Sequence, residues 1–283
     1  MTILQVYVIN NYLSLLVNLL LISITLTTER YEMNKNINRW PAWLDMIQGA
    51  TGLVLVLFMW AHMFFVSSIL ISHDAMYWVA RMFEGEPLFG KPYPILVTLV
   101  AVGIFTLLVI HAVLALRKFP SNAQQYQSIN QHMSTFKHGD TWLWAVQVIS
   151  GFFLLFLASI HLYQLMLNPA DIGPYASSDR VWSERMWPLY IILLFVVEIH
   201  GGIGIYRLAI KWGWFLGKNV KQNRRRLQKV KWGITLFFLI LGCATLQAYM
   251  TIGYEHQSKV GERYIPKAAL EQTNNKTSNQ SQQ

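Results

Sequence analysis

The chain has 283 residues, 54% hydrophobic and 13% charged, with a net charge of +9 and a mean hydropathy of +0.33. Soluble domains carry about 25% charged residues, so this composition belongs in a membrane. There the positive charge reports which loops are basic rather than nucleic-acid binding. The single cysteine, Cys243, excludes an internal disulfide and any multi-cysteine zinc or iron–sulfur site.

In chain order, residues 1–32 form an apolar extension, Ile3 to Leu26, diluted by Asn10, Asn11, Ser14 and Asn18. No basic residue precedes the run and no small-residue cleavage site follows, which argues against a signal peptide. It reads as a sixth helix, an interfacial helix or a leader upstream of Met33, in any case a peripheral element with no part in the chemistry. Residues 33–256 read as one all-α membrane domain of five transmembrane helices. Span I covers Trp43 to Ile71, and a charged loop with His73, Asp74, Arg81, Glu84, Glu86 and Lys91 follows it. Span II starts after Pro92 and Pro94 and stops at Arg117, Lys118 and Pro120. After a polar connector, span III runs from Asp140 to Leu167, and Asn168–Pro169 and Gly173–Pro174 mark a loop. Span IV runs from Trp187–Pro188 to Gly213, and span V from Val230 to Ile252. Residues 257–283 are a polar tail, low in complexity from Lys267 on, and read as disordered.

Lys211 to Lys231 holds eight basic residues and no acidic one. The II–III connector is basic as well. The positive-inside rule therefore puts both connectors in the cytoplasm, so span I starts there and the C-terminus is periplasmic. The basic run also suits anionic lipid or a cytoplasmic partner.

Four spans each carry a histidine: His62, His111, His161 and His200. His62 and His161 lie about 9 and 6 residues from the outer ends of their helices, or roughly 9–14 Å. His111 and His200 lie about 17 and 12 residues along theirs, or roughly 18–26 Å. The result is an outer pair and an inner pair, each drawn from two helices. A lone intramembrane histidine is often a helix–helix hydrogen-bond partner. Four of them falling into two depth pairs favour bis-histidine ligation of two haem b groups. Zinc or copper would need three or four clustered ligands. Span IV also places Glu198 near its middle, pointing about 200° away from His200, and sets Gly204 on the histidine's face, as if to leave room for something flat and large. Ionisable groups at that depth mark function. Two haems at two depths form an electron wire. With neither a Rossmann fingerprint nor a P-loop in sight, the chain reads as one subunit of a larger complex.

AHMFFVS at His62, IHAVLALRKFP at His111, HGDT at His138, SIHLY at His161 and the block from MWPLY through VEIHG to KWGWF resemble the dihaem cytochrome b subunit of epsilonproteobacterial quinol:fumarate reductases. The resemblance covers roughly residues 42–255. It implies that His111 and His200 hold a proximal haem and His62 and His161 a distal one. It further implies that menaquinol is oxidised near the distal haem. Electrons then pass to an iron–sulfur subunit and a FAD-containing flavoprotein that reduces fumarate to succinate. By the same resemblance, Glu84 is the acid of the quinol site, with Glu86 its rival, and Glu198 carries protons. Gln48, Trp144, Arg180 and Lys211 fall near the haem propionates. The implied location is a bacterial inner membrane, with the partner subunits on the cytoplasmic side. The same frame serves succinate dehydrogenases running toward quinone reduction. A haem subunit of another respiratory complex fits the VEIHG-to-KWGWF block less well, and a proton-coupled transporter would want an inverted repeat.

Overall fold

The computed structural model describes residues 39–119, 139–215 and 217–271, together with Ser14, Asn18, Asn122, Gln124, Gln125 and Gln127. The expectations for residues 1–32 and for the tail beyond Glu271 otherwise lie outside the described residues. Every regular element among those described is helical. In chain order they are α1 (Trp40–Val66), a 3₁₀ turn (Ser67–Leu70), α2 (His73–Phe83), α3 (Glu86–Phe89), α4 (Ile95–Leu116), α5 (Gly139–Leu167), α6 (Pro174–Trp182), α7 (Trp187–Lys211) and α8 (Val220–His256). Among the described residues five helical stretches are long and apolar enough to cross a membrane: Trp40–Leu70, Ile95–Leu116, Trp142–Leu167, Trp187–Lys211 and Val220–Lys259. Leu57, Phe64, Leu99, Phe153, Phe156, Leu236 and Ile240 project outward from them with large exposed faces. Apolar surface on that scale suits lipid.

The loops hold more helix than their polarity suggests. α2 is amphipathic and capped by Ser72, whose hydroxyl accepts from Ala75 N at 3.0 Å. α6 begins with Pro174, whose missing N–H costs nothing at a helix start. α8 begins ten residues before the expected Val230. Lys, Gln and Arg are good helix formers, and Asn219 caps Gln222 N at 3.2 Å. Hydropathy finds only the part of this helix suited to lipid.

The chain divides into two compact units, residues 1–54 with 106–145, and residues 55–105 with 146–283. In the second unit α8 packs along α7 and α6. Ile69, Met76, Val181 and Tyr249 form a buried core where the 3₁₀ turn, α2, α6 and α8 meet. The Tyr249 hydroxyl donates to Val66 O at 3.3 Å. Residues 257–271, expected as part of a disordered tail, are fastened to the two loops of this unit. Asp179 accepts from His256 Nδ1 at 2.9 Å and from Gly261 N at 3.1 Å. Arg263 pairs with Asp171 at 2.5 Å. Tyr264 Oη and Lys267 N both donate to Asp74, at 2.8 and 3.2 Å. Most of these contacts are made before Lys267, where the low-complexity stretch begins, and by partners of matching charge and hydrogen-bonding chemistry. Burial and the Asp74 carboxylate push the Tyr264 phenol up to about 12.

Candidate functional site

In the first unit, α4 carries His111 and α1 receives it. Nδ1 lies 3.0 Å from Gln48 O and 3.3 Å from Thr51 Oγ1. Gly52 gives the ring its space, because a Cβ there would sit 2.7 Å from His111 Cε1. The second unit repeats the arrangement with α7 and α5. Nδ1 of His200 lies 3.0 Å from Gln147 O and 3.1 Å from Ser150 Oγ. A Cβ on Gly151 would lie 3.1 Å from His200 Cε1. Gly204, expected to leave open room beside His200, instead admits Gln147, whose Nε2 would be 3.1 Å from its Cβ. The glycine that makes room for the ring is on the facing helix.

The second unit also brings His62 and His161 together. Their ring centroids are 6.2 Å apart and tilted by 52°. Phe58 stacks on His62 at 6.0 Å, and Tyr190 meets His161 edge-on at 5.4 Å. His161 Nδ1 is buried without a hydrogen-bond partner among the described residues. Arg180, buried in α6, donates to Asp171 O and lies near Tyr190. It therefore stands one residue away from His161. Lys211 is the exposed last residue of α7 and Trp144 is half-buried in α5. Gln48 enters the site through its backbone carbonyl.

Glu198 is fully buried in α7, and neither of its oxygens meets a hydrogen-bond partner among the described residues. The indole of Trp60, also buried and unbonded at Nε1, is its polar neighbour. Glu84 ends α2 at 3% exposure and pairs with Arg81 at 2.7 Å. Glu86, the rival acid, is more open and sits 3.8 Å from the same guanidinium. Burial raises the Glu84 carboxyl above the usual range, while the charges of Arg81 and Arg263 pull it back and Glu86 pushes it up.

The hydroxyls and glycines of the two histidine cradles, and Trp60 and Tyr190, escape the sequence reading. The cradles did leave a signal: Gln48, Thr51, Gly52 and His62 recur with identical spacing as Gln147, Ser150, Gly151 and His161. Helix-internal Ser, Thr and Gly in apolar runs are common enough to pass unnoticed until paired.

Residues 123–241 match the family of succinate dehydrogenase/fumarate reductase transmembrane subunits. The fumarate reductase cytochrome b subunit of Helicobacter pylori is 54% identical over 214 residues, covering 76% of this chain and 82% of its own. That of Wolinella succinogenes is 48% identical over 218 residues, covering 77% and 85%. The chain belongs to this family. As a transmembrane subunit of the succinate dehydrogenase/fumarate reductase family it is a multi-pass membrane protein, and the resemblance carried by its histidine-bearing segments holds across most of its length.

Proposed function

We propose that the chain is the dihaem membrane anchor of a quinol:fumarate reductase in a bacterial inner membrane. It oxidises menaquinol and relays electrons to an iron–sulfur subunit and a FAD-containing flavoprotein, where fumarate becomes succinate. The observation that carries this reading is the 6.2 Å spacing of His62 and His161. Two metal–imidazole bonds of about 2 Å each fit between rings so placed. When bound, haem b supplies reversible one-electron transfer. His62 and His161 would hold the distal group and His111 and His200 the proximal one. The glycine-walled cradles of the second pair suit rings that must not rotate. Arg180 and Lys211 supply positive charge for propionates, with Gln48 and Trp144 as further contacts.

Quinol oxidation releases two protons as well as two electrons. Glu84, held at a helix end by Arg81, is the carboxylate that takes up a proton from the quinol. Glu198, buried in an apolar span with the Trp60 indole as its polar neighbour, is suited to receive and pass on a proton during turnover. The basic stretch from Lys211 to Lys231 faces the cytoplasm, where it meets the partner subunits and anionic lipid. The matched family also includes succinate dehydrogenases, and the relatives' names favour the fumarate-reducing direction.

A reduced-minus-oxidised spectrum of the purified complex tests the reading, with two haem b expected per chain. His62→Ala should remove one haem and His111→Ala the other. Retention of both haems in either variant would refute the ligand assignment.

A further inference from the structure

We infer that Thr51 and Ser150 are positioning residues that, with the carbonyls of Gln48 and Gln147, lock His111 and His200 in the tautomer presenting Nε2 as the iron ligand. The inference rests on the dihaem reading and adds to it the groups that aim the rings. Thr51 Oγ1 donates its one proton back along its own helix, to Ile47 O at 2.9 Å or Gln48 O at 3.1 Å. With its proton so placed, it meets His111 as an acceptor. The second atom facing Nδ1 is a carbonyl oxygen, also an acceptor. With acceptors on both sides, Nδ1 must carry the hydrogen, and the lone pair of the neutral imidazole falls on Nε2.

The same logic holds in the other unit. Ser150 Oγ donates to Val146 O at 2.7 Å or Gln147 O at 3.1 Å, and it meets Nδ1 of His200 as an acceptor. Back-bonding of a hydroxyl to the preceding turn is ordinary for Ser and Thr in helices. What is not ordinary is the coincidence, twice, of that hydroxyl with a histidine Nδ1, a shared carbonyl and a glycine against the ring. The shared spacing of Gln48–Thr51–Gly52–His62 and Gln147–Ser150–Gly151–His161 shows one device used in two helices. Among the described residues His161 Nδ1 meets no such acceptor. Acceptors at Nδ1 raise the basicity of Nε2. Electron-rich ligands stabilise ferric iron, so removing one acceptor should raise the midpoint potential of the haem concerned.

The test uses the whole complex carrying Thr51→Ala, Thr51→Ser, Ser150→Ala or Ser150→Thr. Each is followed by potentiometric titration and by the electron paramagnetic resonance of the low-spin ferric haems. Both alanine variants should keep two haems, move the signal of one and the same haem, and raise its potential. Thr51→Ser and Ser150→Thr should match the parent. Should an alanine variant fail to assemble, Thr51→Val keeps the shape without the hydroxyl and carries the same expectation. Unchanged potentials and spectra in the hydroxyl-free variants would overturn the inference, as would a Thr51→Ser shift equal to that of Thr51→Ala. A parent complex without haem would sink the underlying reading instead. Shifts in different haems for the two alanine variants would leave the cradles standing and overturn the pairing of His111 with His200.

Discussion

Glu84 answers to opposing influences. Burial favours its neutral form, Arg81 and Arg263 favour the carboxylate, and Glu86 opposes it. In the proposed role of proton acceptor Glu84 must be deprotonated to work, so quinol oxidation should fall off as pH drops through its raised pKa. Arg81→Met removes the larger of the two attractive charges. The acid limb of the pH–rate profile should therefore move to higher pH, measured with a water-soluble quinol as donor. Glu84→Gln should retain both haems and lose quinol oxidation by about 10²-fold or more, the size usual for a positioned acid or base. Normal turnover in that variant would show that the carboxylate is dispensable. Glu198→Gln should impair quinol-driven fumarate reduction while leaving reduction by artificial donors at the flavoprotein untouched. Equal effects in both assays would reduce Glu198 to packing.

At the scale of elements, α1 and α5 each offer a glycine where a facing histidine needs room. Gly52→Ala would place a methyl 2.7 Å from Cε1 of His111. That ring must then turn, and the inner haem should be lost or its occupancy cut severalfold in the purified complex. Gly103→Ala, whose new Cβ meets nothing within 4 Å, is the matched control and should keep both haems. The long apolar helices were legible because twenty consecutive apolar residues have few other fates. α2, α6 and the first ten residues of α8 were not, because their signals are caps and amphipathic spacing rather than hydropathy. Ser72 and Asn219 sit at helix starts that a search for apolar runs passes over. The histidines stood out because an imidazole is conspicuous in such a run. Thr51 and Ser150 did not, because small hydroxyl residues are unremarkable there and only the facing ring shows what they touch.

Across the whole molecule, the outward apolar faces and the five spans make this a protein whose solvent is lipid. Its second unit is tied at one end by polar contacts that composition alone concealed. Asp74, Asp171 and Asp179 look like ordinary loop acids in sequence. In the structure they receive Tyr264, Arg263, His256 and Gly261. Arg263→Gln should move the acid limb of quinol oxidation in the same direction as Arg81→Met but by less, since its charge is the weaker influence on Glu84. A shift larger than that of Arg81→Met would contradict this ordering. The fastening also imposes a timetable. Arg263 and Tyr264 leave the ribosome only after the five described spans have been made, so a nascent chain can have those helices threaded into the bilayer while Asp171 and Asp74 still lack these partners. Premature termination just past His256 should therefore yield an inserted protein in which Asp74 and Asp171 never meet Tyr264 and Arg263.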